Sequence, residues 1–164
     1  MPVDVSEDAG RGRAADVEAA AERILELLGW DECELSVVLT GDEAVRALNR
    51  QWRSKDAATD VLSFGQLEDA GETRVRSAIR KPKPGTHLGD VVISVDTALR
   101  QAAEGGWTPE EEINRLLVHG VLHLLGHEHE HGGAAERRKQ AEEARISAAL
   151  LRAGIPCAYE DAAR

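Results

Sequence analysis

The stretch "LLVHGVLHLLGHEHEHGG" (residues 116–133) sets five of the chain's six histidines into an apolar run, and it constrains the fold more than any other segment. Just ahead of it, "TPEE" (108–111) has the signature of a helix start: Thr108 can cap, Pro109 suits the first turn and Glu111 sits at the capping-box position. The spacing predicts one buried helix from 109 to 125, closed by a left-handed turn at Gly126. On such a helix His119 and His123 are four residues apart, so both imidazoles share a face about 6 Å apart along the axis. The chain break at Gly126 lets His129 reach the same point from outside the helix. Three imidazoles with room for water form a metal site of the catalytic rather than the structural type, with zinc favoured and cobalt, nickel or iron also suited.

This spacing matches the ligands and glycine of H-E-x-x-H-x-x-G-x-x-H metalloproteases, but their general-base glutamate is replaced here by Gly120, which has no side chain. Glu128 or Glu112 are the carboxylates that could stand in for it. His127 and His131 read as exposed or supporting residues, with His127 the first substitute ligand, and His87 has no assigned role.

Around this helix the sequence alternates strands and helices. "AADVEAAAERILELL" (14–28) carries one apolar stripe closed by Gly29, and "CELSVVLT" (33–40) is a β-branched strand. Thr40 and Glu43 are spaced as a capping box for a helix through about Trp52. "DVLSFGQ" (60–66) and "HLGDVVISVD" (87–96) read as further strands, and "TRVRSAI" (73–79) is a candidate fourth. Asp96 can cap a helix running to Gly105-Gly106, and a last helix spans about 134–153. The expectation is an α+β single domain: a small mixed sheet of about four strands, about five helices, and the metal site at the end of a buried helix. The domain should occupy residues 14–156, between a flexible N-terminus (1–13) and a C-terminal tail (157–164).

A formal net charge of −10 argues against a protein that coats polyanions, because phosphate contacts need Lys and Arg to displace counterions. Any nucleic-acid surface must be local, and residues 73–86, with Arg74, Arg76, Arg80, Lys81 and Lys83 and no acid, are as readily a solvated loop as a phosphate-contacting one. Cys33 and Cys157 have neither metal nor redox spacing and read as reduced thiols. With no signal core and no run long enough to span a bilayer, the expected location is the cytoplasm.

"HGVLHLLGHEH" (119–129) resembles the H-G-x-L-H-L-x-G-x-D-H pattern of the YbeY family of bacterial metal-dependent endoribonucleases, also called rRNA maturation factors. "LNRQWRSKDAATDVLSF" (48–64) is similar to that family's L-N-x-x-x-R-x-x-D-x-P-T-D-V-L-S-F block and "LGDVVIS" (88–94) to its L-G-D-I-V-I-S strand, so the resemblance covers roughly residues 33–153. Ala58 and Gly65 stand where the family usually has proline, and Glu128 where it has aspartate.

The resemblance implies that His119, His123 and His129 are the metal ligands and that Gly120 is at home beside them. It further implies cleavage of single-stranded RNA in rRNA maturation, notably at small-subunit ends, a part in ribosome quality control, and contact with the ribosome and ribosomal proteins, with neither DNA nor a membrane as partner. The family's arginine falls on Arg53, and a guanidinium there can hold two phosphate oxygens as charge develops, with Lys55 adding a diffuse contact. On charge alone Arg53 could instead be a surface residue paired with Asp56. Two rival readings follow from the same ligands: a zinc peptidase, and a non-catalytic ribosome-assembly factor with a structural metal.

Overall fold

A computed structural model describes residues 3–7, 12–65, 83–125 and 133–159. Its strands are β1 (Val3–Glu7), β2 (Glu34–Thr40), β3 (Val61–Gly65) and β4 (His87–Ser94). The helices among the described residues are α1 (Ala14–Leu28), α2 (Asp42–Arg53), α3 (Val95–Gly105), α4 (Pro109–Leu124) and α5 (Gly133–Arg152). The strands form one mixed sheet in the order β1-β2-β4-β3, in which only β3 runs antiparallel, against β4. The expected α+β architecture, with four strands and five helices, is the one observed.

One of the four described strands comes from a segment that the sequence does not mark as a strand. Val3–Glu7, read as a flexible start, pairs parallel with β2 from Val3↔Leu35 to Glu7↔Leu39, and Val3 is buried. The segment is short and only Val3 and Val5 are apolar, so its strand character comes from the open edge of β2 rather than from its own pattern. The candidate "TRVRSAI" lies outside the described residues. The end of the domain shifts too. Cys157 and Ala158 are buried, with Ala158 N–H donating to Glu111 O at 3.0 Å and Asn114 Nδ2 to Pro156 O at 2.7 Å. The described residues after α5, through Ala158, therefore form a strap docked on the first half of α4, and residues 160–164 of the expected tail lie outside the described residues.

Alternation along β2 explains the layers. Leu35, Val37 and Leu39 face the main core with Val91 and Ile93 of β4 and with α1, α4 and the buried end of α5. Val38 faces the other way, where α2 lays Val45 on Leu62 and Val92. β4 is buried on both sides, as its unbroken apolar run requires. α4 is enclosed over most of its circumference, from Ile113 through Leu124, and carries the expected capping box of Thr108 and Glu111. Gly29 and Gly106 end α1 and α3 in left-handed conformations. Cys33 and Cys157 are both buried and form no disulfide.

The start of α2 departs from local expectation. Its N-cap is Gly41, not Thr40, and no side chain of its own caps it. Thr40 is the last, buried residue of β2. Asp96 of α3 supplies the missing acceptor, taking the Asp42 N–H at 2.9 Å, while α3 is capped by Ser94.

Candidate active site

The helix that carries the histidines is fixed against β3 and β4 at Gly120. A Cβ built there would stand 2.7 Å from Val91 Cγ1, 3.2 Å from Val61 Cγ2 and 3.3 Å from Ser63 Oγ. Any side chain there would force Val91 or the helix to shift, so the absent glutamate reflects how closely α4 sits on the sheet. Gly89 of β4 is required for a related reason: φ is +141°, and a Cβ would lie 2.2 Å from Phe64 O on the paired strand.

Next to Gly120 the two helical imidazoles meet as their spacing predicts, with ring centroids 4.3 Å apart and planes at 43°. His119 Nδ1 lies 3.0 Å from Glu143 Oε1 on α5; a carboxylate only accepts, so the ring donates. That bond leaves Nε2 of His119 as the ring nitrogen that could take a cation, and a carboxylate on the other nitrogen is a common way of orienting a ligating histidine. His123 Nε2 is shielded from solvent. Zinc or a similar cation fits this donor chemistry. Among the described residues no third donor joins the pair. His129, the third expected ligand, lies outside the described residues, as do His127, Glu128, His131 and residues 73–82 of the basic segment.

Glu143 gave little sign of itself in a helix rich in acids. One signal was available: it lies three, four and seven residues before the buried Ile146, Ser147 and Leu150, hence on the inward face of α5. Burial pushes its pKa up, but the hydrogen bond and charge of His119, with Lys139 and Arg115 nearby, hold it below the usual carboxylate value. A cleft of about 200 Å³ opens beside it, lined by Arg115, His119, Lys139, Gln140 and Tyr159 among others.

Glu112 does not serve as a stand-in base. Its carboxylate is wholly buried and accepts from Trp107 Nε1 (3.0 Å), Gln101 Nε2 (2.5 Å) and both Nε and an Nη of Arg115 (2.8 and 2.6 Å). A carboxylate with four donors on it is a structural tie between α3 and α4. His87 is likewise structural, with its Nε2 hydrogen-bonded to Ser36 Oγ at 3.0 Å.

Arg53, at the end of α2, turns toward β3. Its Nη2 donates to Ser63 O at 2.7 Å and its guanidinium carbon stands 5.6 Å from the centre of the Phe64 ring. Ser63 Oγ in turn donates to Gly120 O at 2.9 Å. One strand residue thus connects Arg53 to the turn of α4 that bears His119. The alternative pairing with Asp56 is not made by Arg53: Arg46 takes Asp56 with two bonds (2.7 and 3.1 Å), and Arg50 lies 3.9 Å away. Lys55, two residues on and past the end of α2, is exposed, its backbone N–H donating to Asn49 O at 3.2 Å.

Comparison with known proteins identifies the family. The sequence model of the family "Endoribonuclease YbeY" matches residues 6–150. A protein of that name from Anaeromyxobacter sp. (strain Fw109-5) is 45% identical over 163 residues, covering 95% of this chain and 79% of its own length. Another from Aquifex aeolicus is 47% identical over 126 residues, covering 77% of this chain and 76% of its own. The solution structure of a Thermotoga maritima protein shares the fold, with a TM-score of 0.55 at 20% identity over 92% of this chain and 93% of that one. The match of the family model across nearly the whole chain, with relatives at this identity, means that the chain belongs to the endoribonuclease YbeY family.

Proposed function

We propose that this YbeY-family chain is a metal-dependent endoribonuclease that cuts single-stranded RNA and matures ribosomal RNA, notably at small-subunit ends, working in the cytoplasm in association with ribosomes and ribosomal proteins. The observation that carries the reading is the hydrogen-bonded line from Arg53 through Ser63 to Gly120, which holds a guanidinium at a fixed place relative to the paired imidazoles.

His119, His123 and His129 would hold one divalent ion, zinc first among candidates. Such an ion supplies Lewis acidity toward a phosphodiester oxygen and lowers the pKa of water. Glu143 keeps the His119 ring oriented and its Nδ1 protonated. Arg53 binds the scissile phosphate and stabilises charge that develops on its oxygens, with Lys55 contributing long-range attraction. A peptidase with this spacing would need its base at residue 120, where any side chain would force Val91 or the helix to shift.

The test is metal content and cleavage of an unstructured RNA, with and without chelator, in the wild type and two variants. His123→Ala is expected to lose metal and activity together. Arg53→Ala is expected to keep the metal and lose about 10²–10³-fold in cleavage rate, the range seen when one preorganised charge-stabilising donor is removed. Full metal occupancy in His123→Ala would remove the site as drawn. RNA processing in cells that survives replacement of the ligands with the fold kept would instead favour the assembly-factor reading, in which the ion is structural.

A further inference from the structure

Trp52 is the most exposed large hydrophobic residue among those described, at 64% of its full accessibility, and it sits immediately before Arg53. Trp30 is buried and Trp107 has its indole N–H on Glu112, so each has an evident structural place. Trp52 has no comparable burial. Successive helix residues diverge by about 100°, so with Arg53 turned to β3 the indole of Trp52 stands on the adjoining solvent flank of the same turn.

The segment that carries this ring is cationic in a chain whose net charge is −10. From Arg46 to Lys55 there are four cations and no acid, and Asp56 answers only Arg46 and, more distantly, Arg50. The turn that presents Trp52, Arg53 and Lys55 is also fixed. Ser54 takes a left-handed conformation (φ 57°, ψ 28°), and Asn49 braces the turn by accepting from Lys55 N–H and donating from Nδ2 to Ala57 O at 2.9 Å. Ser54 is the one non-glycine residue with positive φ among the described residues, and such conformations persist where surrounding contacts enforce them.

We infer that Trp52 is a stacking platform for one base of a single-stranded RNA whose neighbouring phosphate is held by Arg53. An exposed aromatic face beside cations is how proteins hold single strands with little regard to sequence: every base has a π-face, and the charges follow the backbone. The inference rests on the endoribonuclease reading and adds to it a subsite outside the metal centre, one that sets how the strand enters. It also reconciles an acidic protein with an RNA substrate, because the attraction it needs is local to this helix end.

The experiment uses the full chain in chelator, so that no cleavage occurs, and a short end-labelled oligoadenylate. Binding is read by anisotropy of the label and separately by tryptophan emission. In the wild type the oligonucleotide is expected to quench the emission. In Trp52→Phe the quench should vanish while affinity stays within a few-fold, since a ring remains. In Trp52→Ala affinity should fall roughly ten-fold, in line with the loss of one base–aromatic stack. Thermal unfolding of both variants should match the wild type because the side chain is mostly in solvent. Equal affinity of Trp52→Ala and wild type, or a quench that persists in Trp52→Phe, overturns the platform while leaving the nuclease reading intact. A wild type that neither binds nor, with metal restored, cleaves the RNA overturns both readings, and it is distinguished by failing before any variant is compared.

Discussion

Gly120 shows how a motif residue can be legible while its reason is not. The sequence registers that a glutamate is missing after the first histidine; only packing explains it, since the Cβ site is already occupied by Val91, Val61 and Ser63. An alanine in a helix interior ordinarily gains about 1 kcal/mol over glycine. Here the added methyl overpacks a contact between α4 and the sheet, which typically costs 1–3 kcal/mol. We therefore expect Gly120→Ala to be destabilised by up to about 2 kcal/mol, seen as a lower urea midpoint at unchanged slope, and a midpoint above that of the wild type would contradict the packing described. Residues that act by tertiary pairing leave the weakest local signal: Glu143 is one acid among several on α5, and the four donors that make Glu112 a structural tie include Gln101 and Trp107, which no local pattern points at it.

Elements with their own stop and start signals are legible in the sequence, and those completed by a neighbour are not. α4 carries its capping box and proline within four residues, and its boundary falls where the sequence places it. α2 begins instead on contacts with α3. Asp42 accepts from Ser94 Oγ and Thr97 Oγ1, each at 2.6 Å, and from Arg100 at 2.7 Å, while Asp96 takes its N–H. Residues 42 and 97 are too far apart in sequence for any local pattern to show this. Burial pushes the Asp42 pKa up, but these three hydrogen bonds and the charge of Arg100 outweigh it and hold the carboxyl below its ordinary value. The folded protein therefore binds this proton more weakly than the unfolded chain, so stability falls as pH falls. The contribution is complete above the unfolded pKa of about 4 and is lost as pH drops through the lower folded value. Asp42→Asn, which keeps the shape without the charge, should be less stable than wild type by a constant margin between pH 5 and 7. That margin should shrink below about pH 4 in urea titrations, and one independent of pH would mean the charge plays no part.

Across the whole molecule, both ends of the chain complete the structure that the central motifs begin. The strap ending at Ala158 braces the first half of α4, and β1 covers the outer edge of β2, the strand whose Leu35, Val37 and Leu39 line the main core. Neither was visible in the sequence, because each takes its conformation from a partner distant along the chain. If β1 is integral, deleting residues 2–11 removes the buried Val3 and the ladder to β2. Burying one valine contributes about 1.5 kcal/mol or more and each ladder hydrogen bond about 1 kcal/mol net, so a loss of at least about 3 kcal/mol is expected. The deletion also uncovers the N–H and C=O groups of β2, a template for pairing with another chain, so the truncated protein should self-associate in gel filtration at concentrations where the full chain does not. A chain whose first thirteen residues were merely flexible would lose neither stability nor its original elution position.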